Sequence, residues 1–131
     1  MNTDPISDFL TRIRNANLVG KENVEVPYSK VKSNISEILK NEGLIESYTI
    51  NSEDKFKKIS LNLSYKNEGT PRINGLRRIS KPGLRVYSRK GEIPRYFGGL
   101  GVTIVSTSNG IMSHKEAWKN RLGGEVMCVV W

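Results

Sequence analysis

The stretch Glu125 to Trp131 is apolar on both faces: Val126, Met127, Cys128, Val129, Val130 and Trp131 follow one another with no alternating polar residue. A strand that faces water on one side alternates apolar and polar residues, so this one has to be covered on both sides. The second half of the chain must therefore build its layers around its own last strand. The rest of that half is mostly strand in character. Val102-Thr103-Ile104-Val105 leads into Ser106-Thr107-Ser108-Asn109-Gly110, an apolar stem ending in an uncharged polar tip. Lys81-Pro82-Gly83-Leu84 fits a type II turn. In the strand after it, Arg85, Tyr87 and Arg89 point to one face and Leu84, Val86 and Ser88 to the other. Ile93 to Gly99 reads as a turn or a helical corner. Ser113-His114-Lys115-Glu116 matches a capping box that opens a short helix to about Arg121, ended by Gly123-Gly124.

The first half reads helix, strand, helix, strand, strand. Thr3-Asp4-Pro5 is a helix start, and Ile6, Phe9, Leu10 and Ile13 form one apolar stripe behind it. Val24-Glu25-Val26 is a short strand closed by Pro27. Ser29 caps a second helix with Val31, Ile35, Ile38 and Leu39 on one face and Gly43 just past its end. Leu44 to Ile50 reads as a strand, Glu53-Asp54-Lys55 as a turn, and Lys58 to Tyr65 as a strand with Ile59, Leu61, Leu63 and Tyr65 inward. Asn67 to Pro71 reads as a linker. The expected fold is α+β, as two small packed domains: an N-terminal domain over residues 1–68 and a mostly antiparallel β domain with one short helix over 69–131. Two small cores are expected, each leaning on the other.

The formal net charge is +8, and its placement is more telling than its size. Residues 1–68 are balanced, whereas 69–131 hold eleven Lys and Arg against Glu92, Glu116 and Glu125. Such segregation points to a polyanion, and nucleic acid is the common one inside a cell. No run reaches the length of a transmembrane helix, and Met1 to Pro5 lacks the regions of a signal peptide, so a soluble chain with a mature N-terminus and no membrane partner is expected. Cys128, the only cysteine, sits in the apolar run and reads as a buried small hydrophobe. With one histidine, His114, it cannot assemble a zinc site, and a reducing compartment fits best.

Contact chemistry concentrates on Arg85, Tyr87 and Arg89, where two guanidiniums flank a ring able to stack on a base. Lys90 extends that surface. At the tip, Ser106, Thr107, Ser108 and Gly110 allow close approach and hydrogen bonding. Gly123 and Gly124 permit backbone contact, and Glu125 can accept from ribose or base groups or orient an arginine. Enzymatic readings are weaker. Gly98-Gly99-Leu100-Gly101 lacks a dinucleotide fingerprint, there is no P-loop, and the serines have no base other than a His114 expected in a helix cap. Asp4 and Asp8, one helical turn apart, leave a metal-dependent nuclease as one alternative; a free-standing regulatory RNA-binding protein is the other.

Taken in order, Lys81-Pro82-Gly83-Leu84-Arg85-Val86-Tyr87, Gly99-Leu100-Gly101-Val102, Ser106 to Met112 and Gly123 to Cys128 resemble the bacterial-type eighth protein of the small ribosomal subunit. Thr3-Asp4-Pro5-Ile6, Thr11 to Ala16 and Val26-Pro27-Tyr28-Ser29-Lys30 are similar too, so the resemblance covers essentially the whole chain. It implies a non-enzymatic structural constituent of the ribosome without cofactor or metal. It implies primary binding to a helix in the central domain of small-subunit ribosomal RNA, early in assembly, beside neighbouring ribosomal proteins. Some members also bind and repress their own messenger RNA. Carried over by motif, Ser106, Thr107, Ser108 and Gly110 contact an irregular base arrangement with Tyr87 beside them, and Gly123, Gly124 and Glu125 share that surface. Thr3, Asp4, Arg12, Arg14, Asn15, Lys30 and Lys32 touch neighbouring RNA. Asn109 stands where the family often has a basic residue. The implied location is the cytoplasmic ribosome; Trp131 fits a bacterial or a plastid-type member equally.

Overall fold

The computed structural model describes residues 4–131 apart from 53, 54, 68, 95 and 97–100. Helix α1 (Pro5–Leu18) begins at the expected capping side chain: the Asp4 carboxylate accepts from Ser7 N–H at 3.2 Å. Its stripe buries Phe9, Leu10, Ile13 and Ala16. After β1 (Asn23–Pro27), Ser29 caps α2 (Lys30–Asn41) by accepting from Lys32 N–H. Strands β2 (Ile45–Asn51) and β3 (Lys58–Leu63) complete an antiparallel sheet of order β1-β3-β2, with Ile59, Leu61 and Leu63 turned into the core.

The second sheet is built around the last strand. Strand β8 (Gly124–Val130) pairs along one edge with β6 (Val102–Thr107), which pairs in turn with β7 (Gly110–Ser113). Its other edge is shared by β4 (Leu76–Arg78) and β5 (Tyr87–Ser88), one after the other. Val126 to Val130 are all buried, as a strand apolar on both faces requires. Helix α3 (His114–Lys119) covers one side; Ser113 caps it, and buried His114 accepts from Thr103 N–H through Nδ1 at 3.1 Å.

The expected pair of cores is unequal. A small cluster of Ile93, Val105, Met112 and Ala117 lies under α3. The main cluster runs through both halves and joins Phe9, Leu10 and Ile13 of α1 and Ile35 and Leu39 of α2 to Ile104, Cys128 and Val130. Each such side chain contributes about 1.5–3 kcal/mol by leaving water. The surface pair Lys115–Glu42 also crosses the seam, but exposed pairs contribute about 0–1 kcal/mol, so apolar burial sets the docking. One polar tie lies deeper. Arg78, with its side chain 8% exposed, holds the Asp4 carboxylate at 3.2 Å and donates to the Met127 carbonyl at 2.7 Å. Burial pushes the Asp4 pKa up, but its bonds from Ser7 and the Arg78 guanidinium outweigh that and hold it below the ordinary value.

Several local expectations change. The Lys81–Leu84 turn closes with Leu84 N–H on Lys81 O at 2.9 Å, but Gly83 does not adopt the positive φ of type II. Leu84 is exposed rather than sharing an inward face with Val86, because pairing to β8 resumes only at Val86 and Tyr87. The alternating strand ends at Leu63, with Tyr65 making an isolated bridge to Pro71. Helix α3 stops at Lys119, and Arg121 takes a left-handed φ of 56° in the turn that follows. Strand β7 had no clear sequence signal, since Gly110 to Ser113 is short and opens on a glycine. The turn expected at Glu53-Asp54-Lys55 lies outside the described residues at its first two positions. So does most of the corner expected at Ile93 to Gly99, of which Ile93 is buried.

The glycines at the start of β8 are packing positions. A Cβ on Gly124 would sit 2.0 Å from the Ser106 carbonyl oxygen, and one on Gly123 would sit 2.4 Å from that of Ser88. Both obstacles are backbone, so neither moves aside cheaply. Gly124→Ala should therefore destabilise the chain by about 1–3 kcal/mol through overpacking, read as a lower urea midpoint at unchanged slope. A wild-type midpoint would show that the β6–β8 spacing is not limiting.

Candidate nucleic-acid interface

The registers of β5 and β6 on β8 align three candidate residues. Tyr87 and Ser106 both pair with Glu125, one from each edge, so Tyr87–Glu125–Ser106 forms a row across the sheet on one face. Tyr87 is 71% exposed, which leaves its ring available for stacking. In the next row, Ser88 and Thr107 flank Gly124, where the missing side chain lets the strands close.

The tip is the β6–β7 hairpin. Ser108 and Asn109 form its turn, and Gly110 follows at φ +112°, beyond the comfortable reach of residues with a Cβ. The Thr107 hydroxyl is spent on the turn itself: Oγ1 donates to Gly110 O at 2.7 Å and accepts from Asn109 N–H at 3.1 Å. Ser108 is exposed and Ser106 half-buried. The hydroxyls offered outward are therefore those of Ser106 and Ser108, while Thr107 sets their position.

Glu125 organises the centre of the surface. Its carboxylate accepts from the Ser80 hydroxyl and from the Arg85 guanidinium at 2.9 Å. Ser80 is fully buried and its Oγ also accepts from Val86 N–H, so it fixes both the carboxylate and the start of β5. Burial pushes the Glu125 pKa up, but the bonds from Ser80 and Arg85 and the charges of Arg85 and Arg78 prevail, and the group titrates below its ordinary value. Ser80 was not singled out from the sequence, where one serine among basic residues carries no periodic signal.

Beyond Glu125 the surface reaches the first half of the chain. Arg85 lines a cleft of about 370 Å³ with Asp4, Ser29, Lys32 and Arg78. Here Asp4 and Lys32 meet the basic half, at the seam between the two sheets. Lys32 is 6% exposed, with Nζ on the Pro27 carbonyl at 3.2 Å, and burial lowers its pKa. Lys30, Arg89 and Lys90 are exposed. Other candidates lie elsewhere. Arg14 donates to the Leu76 carbonyl across the seam, and Arg12 and Asn15 line a separate groove between α1 and β1. Thr3 is outside the described residues.

Little here favours catalysis. Asp4 answers Arg78, and Asp8 answers Arg12 at 2.9 Å. Among the described residues no group of three or more His, Cys, Asp and Glu is gathered to hold a metal. Cys128 is fully buried, which pushes its thiol up to about 12 and keeps it from acting as a thiolate.

The whole of the described chain is similar to known proteins. The family model described as Ribosomal protein S8 matches residues 4–131. The small ribosomal subunit protein uS8 of Moorella thermoacetica is 57% identical over 129 residues, covering 98% of this chain and 99% of its own. The uS8 of Halalkalibacterium halodurans is 55% identical over 129 residues, 98% of each chain. That of Desulforudis audaxviator is 53% identical over 131 residues, the full length of both.

The Glu125 pair has a pH signature. A carboxyl whose pKa is depressed by folding stabilises fully above its unfolded value and loses that contribution as pH falls through the folded one. The stability lost in Glu125→Gln should therefore be full at pH 7 and shrink on acidification below 4.5. Parallel urea titrations of the two proteins from pH 7 to pH 3 read the difference; a gap that stays constant would mean that the carboxylate charge is not what Ser80 and Arg85 hold.

Proposed function

The chain belongs to the ribosomal protein S8 family, and on that premise we propose that it is a non-enzymatic structural constituent of the small ribosomal subunit that binds small-subunit ribosomal RNA. It works in the cytoplasm as part of the ribosome, beside other proteins of the subunit. Within that role, a helix of the central domain of the RNA is the target, bound early in assembly. The observation that carries the site is the row Tyr87–Glu125–Ser106 beside the Ser106–Gly110 hairpin, set in the half of the chain that holds all the excess positive charge.

The mechanism divides in two. Arg85, Arg89 and Lys90 supply attraction to phosphates, which is strong, long-ranged and blind to sequence. The hairpin and Tyr87 supply shape: exposed hydroxyls for base edges or ribose, a ring for stacking, and Gly110 keeping the backbone of the tip bare. The division follows the chain, with residues 69–131 as the reading unit. Residues 1–68 brace it through the shared core and add Asp4 and Lys32 at the cleft and exposed Lys30 on α2.

Salt and mutation separate the two parts. With about six phosphates contacted, affinity for small-subunit RNA should fall by roughly three orders of magnitude between 50 and 200 mM salt. In filter-binding titrations, Ser106→Ala combined with Ser108→Ala should weaken the cognate RNA and spare unrelated RNA. Arg85→Ala with Arg89→Ala should weaken both. A flat salt response, or equal losses from the two pairs on both RNAs, would contradict this mechanism.

A further inference from the structure

The balanced first half carries one concentrated basic and aromatic patch that the surface above does not use. Lys55-Phe56-Lys57-Lys58 leads into β3, opposite Pro27 at the end of the edge strand β1. Phe56 is 72% exposed, an unusual position for a phenylalanine with no polar atom to offer water. Beside it is an open slot of about 420 Å³, with Val26, Pro27 and Phe56 forming its apolar side and Arg12, Lys57 and Lys58 its cationic rim. Lys57 Nζ also lies 5.2 Å from the centroid of the Tyr28 ring, and its backbone carbonyl accepts from Tyr28 N–H, so the segment is anchored to the sheet edge. Glu25, the one acid among the described residues that line the slot, is 3.9 Å from Lys58 Nζ with both side chains about half exposed, too loose a pair to cancel the rim. The slot continues into the groove between α1 and β1, whose wall carries Arg12 and Asn15.

We propose that this slot is a second RNA contact, holding one unstacked base against the Phe56 ring while Arg12, Lys57 and Lys58 take the flanking phosphates. The inference rests on the RNA-binding reading above and adds a site on the opposite half of the chain. An exposed ring between cations is the arrangement that single-stranded nucleic acid selects, because every base offers a face to stack and every linkage a charge to neutralise. A protein partner fits less well, since lysine is depleted from protein interfaces. The slot also gives Arg12 and Asn15, which the structure separates from the hairpin surface, a place on the same RNA.

The test uses the full chain and deproteinised small-subunit ribosomal RNA at fixed salt. Phe56 is exposed, so its variants should keep the wild-type melting temperature. Phe56→Leu keeps apolar area without the ring and should bind about 5- to 100-fold more weakly. Phe56→Trp keeps a stacking face and should bind like wild type. If Phe56→Leu binds like wild type, or Phe56→Trp loses as much as Phe56→Leu, the slot does not hold a base. In that case Ser106→Ala with Ser108→Ala still reports on the hairpin surface, so the slot falls alone; absence of RNA binding by the wild type would overturn both readings together.

Discussion

Strand β8 has no free edge. Strand β6 covers one side, β4 and β5 share the other, and Val126 to Val130 are buried beneath both faces. Everything that can vary in the second half must therefore lie at the ends of this strand. Its C-terminal end is closed by Trp131, whose backbone exchanges hydrogen bonds with Gly75 and whose ring fills the space a Cβ there would need. Its N-terminal end is where the apolar run stops, at Gly124 and Glu125. At that end polar side chains from three strands stand abreast, Tyr87, Glu125 and Ser106, and the candidate surface forms there.

The same geometry explains why net charge overstates what is available for RNA. Arg78 is consumed by the seam, where it satisfies Asp4 and Met127. Arg14 serves the seam from the other side, and Arg77 lies over the Tyr96 ring. A guanidinium with several bonds at a buried junction is a structural part, since removing its partner would strand a charge away from water. In the second half, the residues left to attract phosphate include the exposed ones around β5 and the 81–84 turn. The basic surface is thus narrower than the sequence suggests.

What could be read from the sequence was local, or repeated along one element. Asp4, Ser29 and Ser113 cap helices because a short oxygen-bearing side chain ahead of an apolar stripe acts within three residues. The run after Glu125 declared its own burial. The hairpin was visible as a polar tip, and the charge asymmetry by counting. What could not be read depends on register between distant segments. Ser80 is unremarkable until β4 and β5 bring it beneath Glu125, 45 residues away in sequence. Gly123 and Gly124 looked like permissive backbone for a ligand, yet the backbones nearest to them belong to β5 and β6 of the same chain. Phe56 lies between the turn at Glu53-Asp54-Lys55 and the alternating strand from Lys58, so no periodic pattern singled it out.

A carboxylate at the centre of a surface proposed to bind RNA needs a physical reason. Glu125 repels any phosphate that approaches the Tyr87–Ser106 row, and its pairing with Arg85 holds that guanidinium back over the sheet. In the proposed mode phosphates are met at the outer side of Arg85 and at Arg89 and Lys90, and the row is left for groups that donate hydrogen bonds or stack. Ribose hydroxyls and base amino groups donate, and bases stack. In this reading the acid keeps the centre of the surface from being filled by backbone phosphates that would bind there without regard to sequence. The absence of charge on Ser106, Thr107, Ser108 and Asn109 has the same effect, since an uncharged tip attracts no phosphate of its own.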